Sequence, residues 1–217
     1  MNKLEFVADG IIGSKQDLQN LEKLDNASIL VVSDTHRNRD MLLEIVLKHG
    51  EECDALFFLG DGVADILYCI QLAFSDMHIQ QKLPPLIFIV EGNIDAHNSF
   101  VFKEDFSNGF RRNFKVSINF LNFLFIKICR KTIMLSHGHI SNVQENLKEL
   151  AGFAKVRNCS ICCYGHTHRV GDNIVDGVRM INPGCLSKHN NEASGITYAL
   201  LKLSVHSETT LRIIRCL

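Results

Sequence analysis

Five short runs in this sequence are greasy on both faces and then stop at polar residues. They are residues 29–33 (ILVVS), 55–59 (ALFFL), 86–90 (LIFIV), 132–135 (TIML) and 160–164 (SICCY). A strand sends alternate side chains to opposite faces, so a run with no polar row belongs in the middle of a sheet covered on both sides. Helical patterns separate the early runs. Leu42, Leu43, Val46 and Leu47 form a stripe that predicts a helix over 39–49, and a second helix is expected near 63–74. Pro84-Pro85 cannot lie inside a helix and marks the start of the third strand.

Later segments read as paired strands. Residues 111–118 and 121–129 are expected to pair as a hairpin, a helix is placed near 142–154, and Asp176-Gly177 is a strong turn signal between strands 170–175 and 178–181. Strands 196–204 and 209–215 close the chain. Early βαβα order followed by late hairpins predicts a mixed α/β (α+β) architecture. Residues 14–24, with Leu18, Leu21 and Leu24 after a Ser14 cap, predict a short amphipathic helix. Because it precedes the first confident strand, residues 1–27 read as an N-terminal extension and 28–217 as one domain. The extension could cap a cleft, extend a sheet or mediate a dimer.

Net charge is −1, which argues against a stable nucleic-acid complex. The longest greasy segment, 120–129, carries Asn122 and Lys127 and is too short to cross a membrane. The first ten residues lack the apolar stretch of a secretory signal. Eight cysteines, most of them beside apolar segments, read as small buried thiols in a reducing cytoplasm. Cys159 and Cys162 spell C-x-x-C, but on a strand over 160–164 they would point to opposite faces, which argues against a metal or redox pair.

Each greasy strand ends in a polar cluster. In order these are Asp34-x-His36, Gly60-Asp61, Gly92-Asn93-Ile94-Asp95, His137-Gly138-His139 and Gly165-His166-Thr167-His168. In α/β sheets the carboxyl ends of strands line the ligand crevice. The i, i+2 pairs Asp34/His36 and His166/His168 project from one face of an extended segment. Mixed imidazole and carboxylate donors suit zinc, manganese, iron, cobalt or nickel. Seven candidate ligands exceed the four of a structural zinc site and suit two ions ~3.5–4 Å apart. One carboxylate must then lie between the cations.

The ordered set D-x-H, GD, GN-x-D, H-G-H and G-H-x-H resembles the calcineurin-like metallophosphoesterase superfamily, and most of all its small YfcE-type phosphodiesterase branch. The likeness spans residues 29–187, and 181–188 (INPGCLSK) is similar to that branch's Asn-Pro-Gly-Ser segment, with Cys185 in place of Ser. The resemblance implies αββα layers, with two packed β-sheets flanked by helices. It implies two divalent ions, manganese foremost, with nickel, zinc, iron or cobalt as alternatives. Asp34, His36 and His168 would hold one, Asn93, His137 and His166 the other, and Asp61 would bridge. The implied reaction is phosphodiester hydrolysis of a small phosphoester by a hydroxide between the two ions. Arg37 is the candidate for touching a phosphate oxygen. A homo-oligomer stays open.

Many members of the wider superfamily carry His where this chain has Ile94, and a hydrocarbon cannot protonate a leaving group. His139 is the nearest substitute, as a catalytic acid or as a residue orienting a ligand; His97 and His189 are weaker candidates. Asp95 reads as a loop-capping group. Two other functions compete. One is a non-catalytic Vps29-like scaffold, and the other is a phosphomonoesterase or nucleotide pyrophosphohydrolase on the same site. A protein phosphatase is disfavoured, since Gly60-Asp61-Gly62-Val63-Ala64-Asp65-Ile66 lacks the Arg-Gly of that branch.

Overall fold

The computed structural model describes residues 1–95, 99–105, 111–187 and 195–216, with the backbone alone for 99–105 and 111–117. His97, Lys188 and His189 lie outside the described residues. In chain order the elements are β1 (Glu5–Ala8), β2 (Ile11–Gly13), α1 (Lys15–Lys23), β3 (Asn26–Val32), α2 (Arg39–His49), β4 (Ala55–Phe58), α3 (Val63–Ser75), α4 (Met77–Lys82) and β5 (Leu86–Ile89). They continue with β6 (Ser99–Asp105), β7 (Arg111–Ser117), β8 (Phe123–Ile128), β9 (Lys131–Ser136), α5 (Lys148–Val156), β10 (Ile161–Cys163), β11 (Val170–Val175), β12 (Val178–Pro183), β13 (Thr197–Ser204) and β14 (Thr210–Arg215).

Two mixed sheets form, in orders β1-β2-β5-β4-β3-β13-β14 and β11-β12-β10-β9-β8. The greasy runs explain the layering. Along β3, Ile29 and Val31 face one apolar cluster while Leu30 and Val32 face another, and all four are fully buried. The first cluster joins side chains of both sheets, from β3, β4 and β5 to β8, β9, β10 and β12. The second covers the outer face of the larger sheet with α2 and α3. A third, around Leu150, Ala151 and Ala154 of α5, covers the smaller sheet. The order is therefore helices, sheet, sheet, helix. Each fully buried Ile, Leu or Val contributes roughly 1.5–3 kcal/mol.

The N-terminal residues are part of this sheet system. β2 pairs antiparallel with β5, so residues 5–13 extend the larger sheet as an edge hairpin. Ser14 caps α1 by accepting from the Asp17 N–H at 3.0 Å, and Leu18, Leu21 and Leu24 reach the inter-sheet core.

The hairpin expected between 111–118 and 121–129 does not form. β7 pairs with β6, and β8 pairs with β9 through Ile128↔Lys131. The tight turn between them is Cys129-Arg130, both at positive φ (50° and 58°). Such turns are normally signalled by Asn-Gly or Asp-Gly, and here neither is present to read. Asp176-Gly177 does turn between β11 and β12, with φ of 51° and 85°. The helix placed near 142–154 begins later, at Lys148, and α4 is an additional short helix. Cys159 also departs from expectation. It precedes β10, so its side chain joins Cys162 in the same apolar cluster instead of the opposite face. Burial raises both thiols, and all eight cysteines are free. Among the described residues no helix is long and apolar enough to cross a membrane.

Candidate metal centre

The carboxyl ends of β3, β4, β5, β9 and β10 meet, and each strand stops because the chain turns sharply there. The Asp34 N–H donates to the Gly60 carbonyl at 3.0 Å and the His36 N–H to the Asp61 carbonyl at 3.1 Å, which ties the first two loops together. Five of the seven candidate ligands adopt left-handed backbone: Asp34 (φ 54°), His36 (43°), Asp61 (56°), His166 (67°) and His168 (59°). Non-glycine residues held there cost on the order of 1–3 kcal/mol each and cluster at functional sites. The loops also approach closely. A Cβ on Gly165 would sit 2.0 Å from Ser33 Oγ and 2.8 Å from Asp34 Oδ2, so only glycine lets this turn pass the carboxylate.

All seven side chains gather in one place. Asp34, His36 and His168 bring ligand atoms within 4.8 Å of one another, and Asp61, His137 and His166 do the same. His36 Nε2 faces His168 Nε2 at 3.0 Å, and His137 Nε2 faces His166 Nδ1 at 3.3 Å and Asn93 Oδ1 at 3.2 Å. The two groups adjoin: His36 Nε2 is 3.9 Å from Asp61 Oδ2, and His137 Nε2 is 3.9 Å from Asp34 Oδ1.

Asp34 is completely buried. One of its oxygens, Oδ2, accepts from the Ser33 hydroxyl and from the His166 N–H at 3.0 Å. The other, Oδ1, meets no donor in hydrogen-bonding geometry, with His168 Nε2 3.2 Å and His137 Nε2 3.9 Å away. A buried carboxylate oxygen without a donor is costly unless a cation meets it. Imidazole nitrogens and carboxylate oxygens converging on that oxygen are the donor set of a first-row divalent ion. The residues therefore fit a metal. His137 is oriented for the task, since its Nδ1 lies 2.6 Å from the Leu59 carbonyl and donates to it, leaving Nε2 toward the cluster.

Burial opposes charge on both Asp61 and His137, but their pairing at 3.4 Å outweighs it, holding Asp61 below and His137 above the ordinary values. The adjoining Asp34 carboxylate raises His168 against burial. Burial, reinforced by the charge of His137, lowers His166. His139 is half-buried, with its ring 5.4 Å from that of His137, and burial followed by His137 and His166 lowers it. Its Nδ1 has no partner. Arg37 is exposed, at φ 71°, on the lining of a neighbouring cleft.

Several supporting residues were not singled out by the sequence. Asp65 accepts from the Thr35 hydroxyl and from the Arg37 N–H at 2.9 Å, which braces the loop carrying His36. Asn182 donates to the Gly165 carbonyl at 2.9 Å and braces the His166–His168 turn. Ser33 sits directly before Asp34, Asp65 lies four residues after Asp61 in the first turn of α3, and Asn182 belongs to the Asn-Pro-Gly segment, so each stood beside a signal. Asp95 caps loops, as its position suggested. Its carboxylate accepts from the N–H groups of Asp61, Gly62, Val63 and Gly92 at 2.7–2.9 Å, fixing Asp61 and the start of α3.

Residues 28–206 match the profile of the calcineurin-like phosphoesterase superfamily domain. The chain belongs to that superfamily. It is 23% identical over 159 residues to a probable metallophosphoesterase, YsnB, of Bacillus subtilis, covering 73% of this chain and 75% of that protein. Among solved structures, a predicted phosphoesterase of Streptococcus pneumoniae superposes with a TM-score of 0.62 at 20% identity, covering 88% of this chain and 91% of that one. Vps29 of Entamoeba histolytica, solved with zinc, superposes with a TM-score of 0.55 at 18% identity, covering 86% and 98%. These structures share the αββα fold with this superfamily member.

Proposed function

We propose that this phosphoesterase-family chain is a dinuclear metal-dependent phosphodiesterase. The observation that carries the reading is the buried Asp34 Oδ1 without a donor, at the meeting point of two imidazole–carboxylate groups. Asp34, His36 and His168 would hold one divalent ion, Asn93, His137 and His166 the other, and Asp61, in reach of both groups, would lie between them. When bound, such ions lower the pKa of a water and offset the charge that grows on phosphoryl oxygens. Manganese is the first ion to try, with nickel, zinc, iron and cobalt as alternatives for the same donors.

The side chains around the cluster divide the remaining work. Arg37 presents its guanidinium at the cleft beside His36, where it can take two phosphoryl oxygens. Ile94 lines the same cleft and has no proton to give. His139, lowered by burial and its histidine neighbours, is largely neutral at pH 7 and a weak donor. General-acid help is commonly worth ~10²–10⁴-fold, so substrates with good leaving groups are favoured. Diesters are preferred to monoesters on the strength of the YfcE-type resemblance.

A non-catalytic scaffold is the competing reading, supported by the fold shared with Vps29. Hydrolysis of bis-p-nitrophenyl phosphate by manganese-loaded protein separates the two. Turnover is expected in the wild type and a loss of about 10²–10³-fold in Asp61→Ala, comparable to removing a principal electrostatic catalyst. Wild-type turnover no higher than that of Asp61→Ala would sink the enzymatic reading.

A further inference from the structure

A cleft of about 450 Å³ opens beside the cluster, lined by His36, Arg37, Val63, Glu91, Ile94 and Phe120, among others. That is the size of a small-molecule site. Val63 and Phe120 are buried in its wall, and Ile94 projects into it with 57% of its surface exposed. Apart from His36, its ionisable side chains are Arg37, Asp65, Glu91 and Asp95. Two of these are already occupied: Asp65 by Thr35 and the Arg37 N–H, Asp95 by four backbone N–H groups.

Arg37 directly follows His36 and so belongs to the phosphate end. Glu91 enters from the end of β5, where its N–H donates to the Leu121 carbonyl at 3.1 Å and sets it beside Phe120. Its carboxylate is partly buried and has no ion pair among the described residues. A half-buried carboxylate on an apolar wall, with no cation paired to it among the described residues, keeps its desolvation cost until a cation arrives.

Building on the phosphodiesterase reading above, we propose that this cleft holds the organic substituent of the substrate and that Glu91 selects diesters whose substituent carries an ammonium group. The apolar wall takes the carbon framework, Arg37 the phosphate, and Glu91 the positive end. The same carboxylate repels polyphosphate chains, which disfavours nucleotide pyrophosphates. Glu91 neither gives nor takes a proton. The oxygen of water bonds to phosphorus, the P–O bond to the departing alcohol breaks with its electron pair, and that alcohol leaves with one proton of the water.

Two diesters separate charge from shape: p-nitrophenyl phosphocholine, and its 3,3-dimethylbutyl analogue in which carbon replaces the nitrogen. Manganese-loaded full-length protein is expected to show a kcat/KM about tenfold higher for the choline ester. In Glu91→Gln the ratio should fall to about one. Because the ratio is internal to each protein, it does not depend on how much of the variant is folded. Equal values on the wild type, or a ratio that survives Glu91→Gln, overturn the proposal and leave the phosphodiesterase reading standing. No turnover of either ester, nor of bis-p-nitrophenyl phosphate, overturns that reading and this proposal with it.

Discussion

The two imidazole–carboxylate groups share a composition but are held in different ways. Asp61 and His137 are almost sealed from solvent, with side chains 4% and 0% exposed, whereas His36 and His168 keep 24% and 31% of theirs. In the group of Asp34, His36 and His168 every residue sits on left-handed backbone; in the other, His137 does not. Strained turns carry Asp61 and His166 as well, and Asp34 is as buried as His137, so what sets the second group apart is His137, which is held by burial and by the Leu59 carbonyl behind it. The difference implies that breaking the buried pair costs folding stability, whereas loosening the strained group costs mainly metal.

Removing one partner of a buried ion pair typically costs about 3–5 kcal/mol, so His137→Ala should destabilise the metal-free protein by that order. His36→Ala should cost about 1 kcal/mol or less, because its ring is partly solvated. Denaturant unfolding in the presence of a chelator checks both. Equal losses would break the comparison.

Manganese at about a hundred times its dissociation constant should add roughly 2.7 kcal/mol for one site. Its pH dependence has a definite sign. His137 and His168 titrate above the ordinary 6.5 in the fold, so their contribution to the metal-free protein is full below that value and is lost as pH rises through the raised ones. Asp61 is depressed, so its contribution is present above its ordinary 3.8 and lost as pH falls through the lower value. A metal has to displace imidazole protons. The manganese-induced rise in Tm should therefore grow between about pH 6 and pH 8, and a flat profile would remove the two histidines from the ligand set.

Gly165→Ala forces a methyl group against Ser33 Oγ and Asp34 Oδ2, within 2.0 Å and 2.8 Å. Overpacking of this kind commonly costs about 1–3 kcal/mol, and here metal uptake should fall with it. The smallest effect serves as a calibration. Arg179 donates to both oxygens of Asp172 at 2.7 and 2.8 Å on the exposed edge hairpin. The Arg179 hydrogen bond holds Asp172 below the ordinary 3.8, so its contribution is lost only as pH falls through that lower value. With the pair well solvated, Asp172→Asn should cost under about 1 kcal/mol. A loss as large as that of His137→Ala would mean that burial is not what separates the two kinds of pair.

Much of this organisation was legible in the chain itself. Strands covered on both faces write continuous apolar runs, and the i, i+2 spacing of Asp34/His36 and His166/His168 marks their ends. The β8–β9 hairpin was illegible because Cys129-Arg130 makes a left-handed turn without the residues that announce one. Asp65 and Asn182 stood beside motifs, but which distant loop each braces leaves no local pattern.

Residue order alone determined the kinds of donor available and the strand ends after which they gather. The one-face projection from an extended segment expected of Asp34/His36 and His166/His168 is not what the fold uses, since all four sit on left-handed turns beyond β3 and β10. Only the packing of the two sheets decided which imidazole faces which carboxylate. His36 meets His168 across 132 residues, and His137 meets Asn93 across 44. Contacts at such separations depend on how the layers stack, and so does the donor-free oxygen of Asp34, because burial is a property of the whole fold and not of any segment within it.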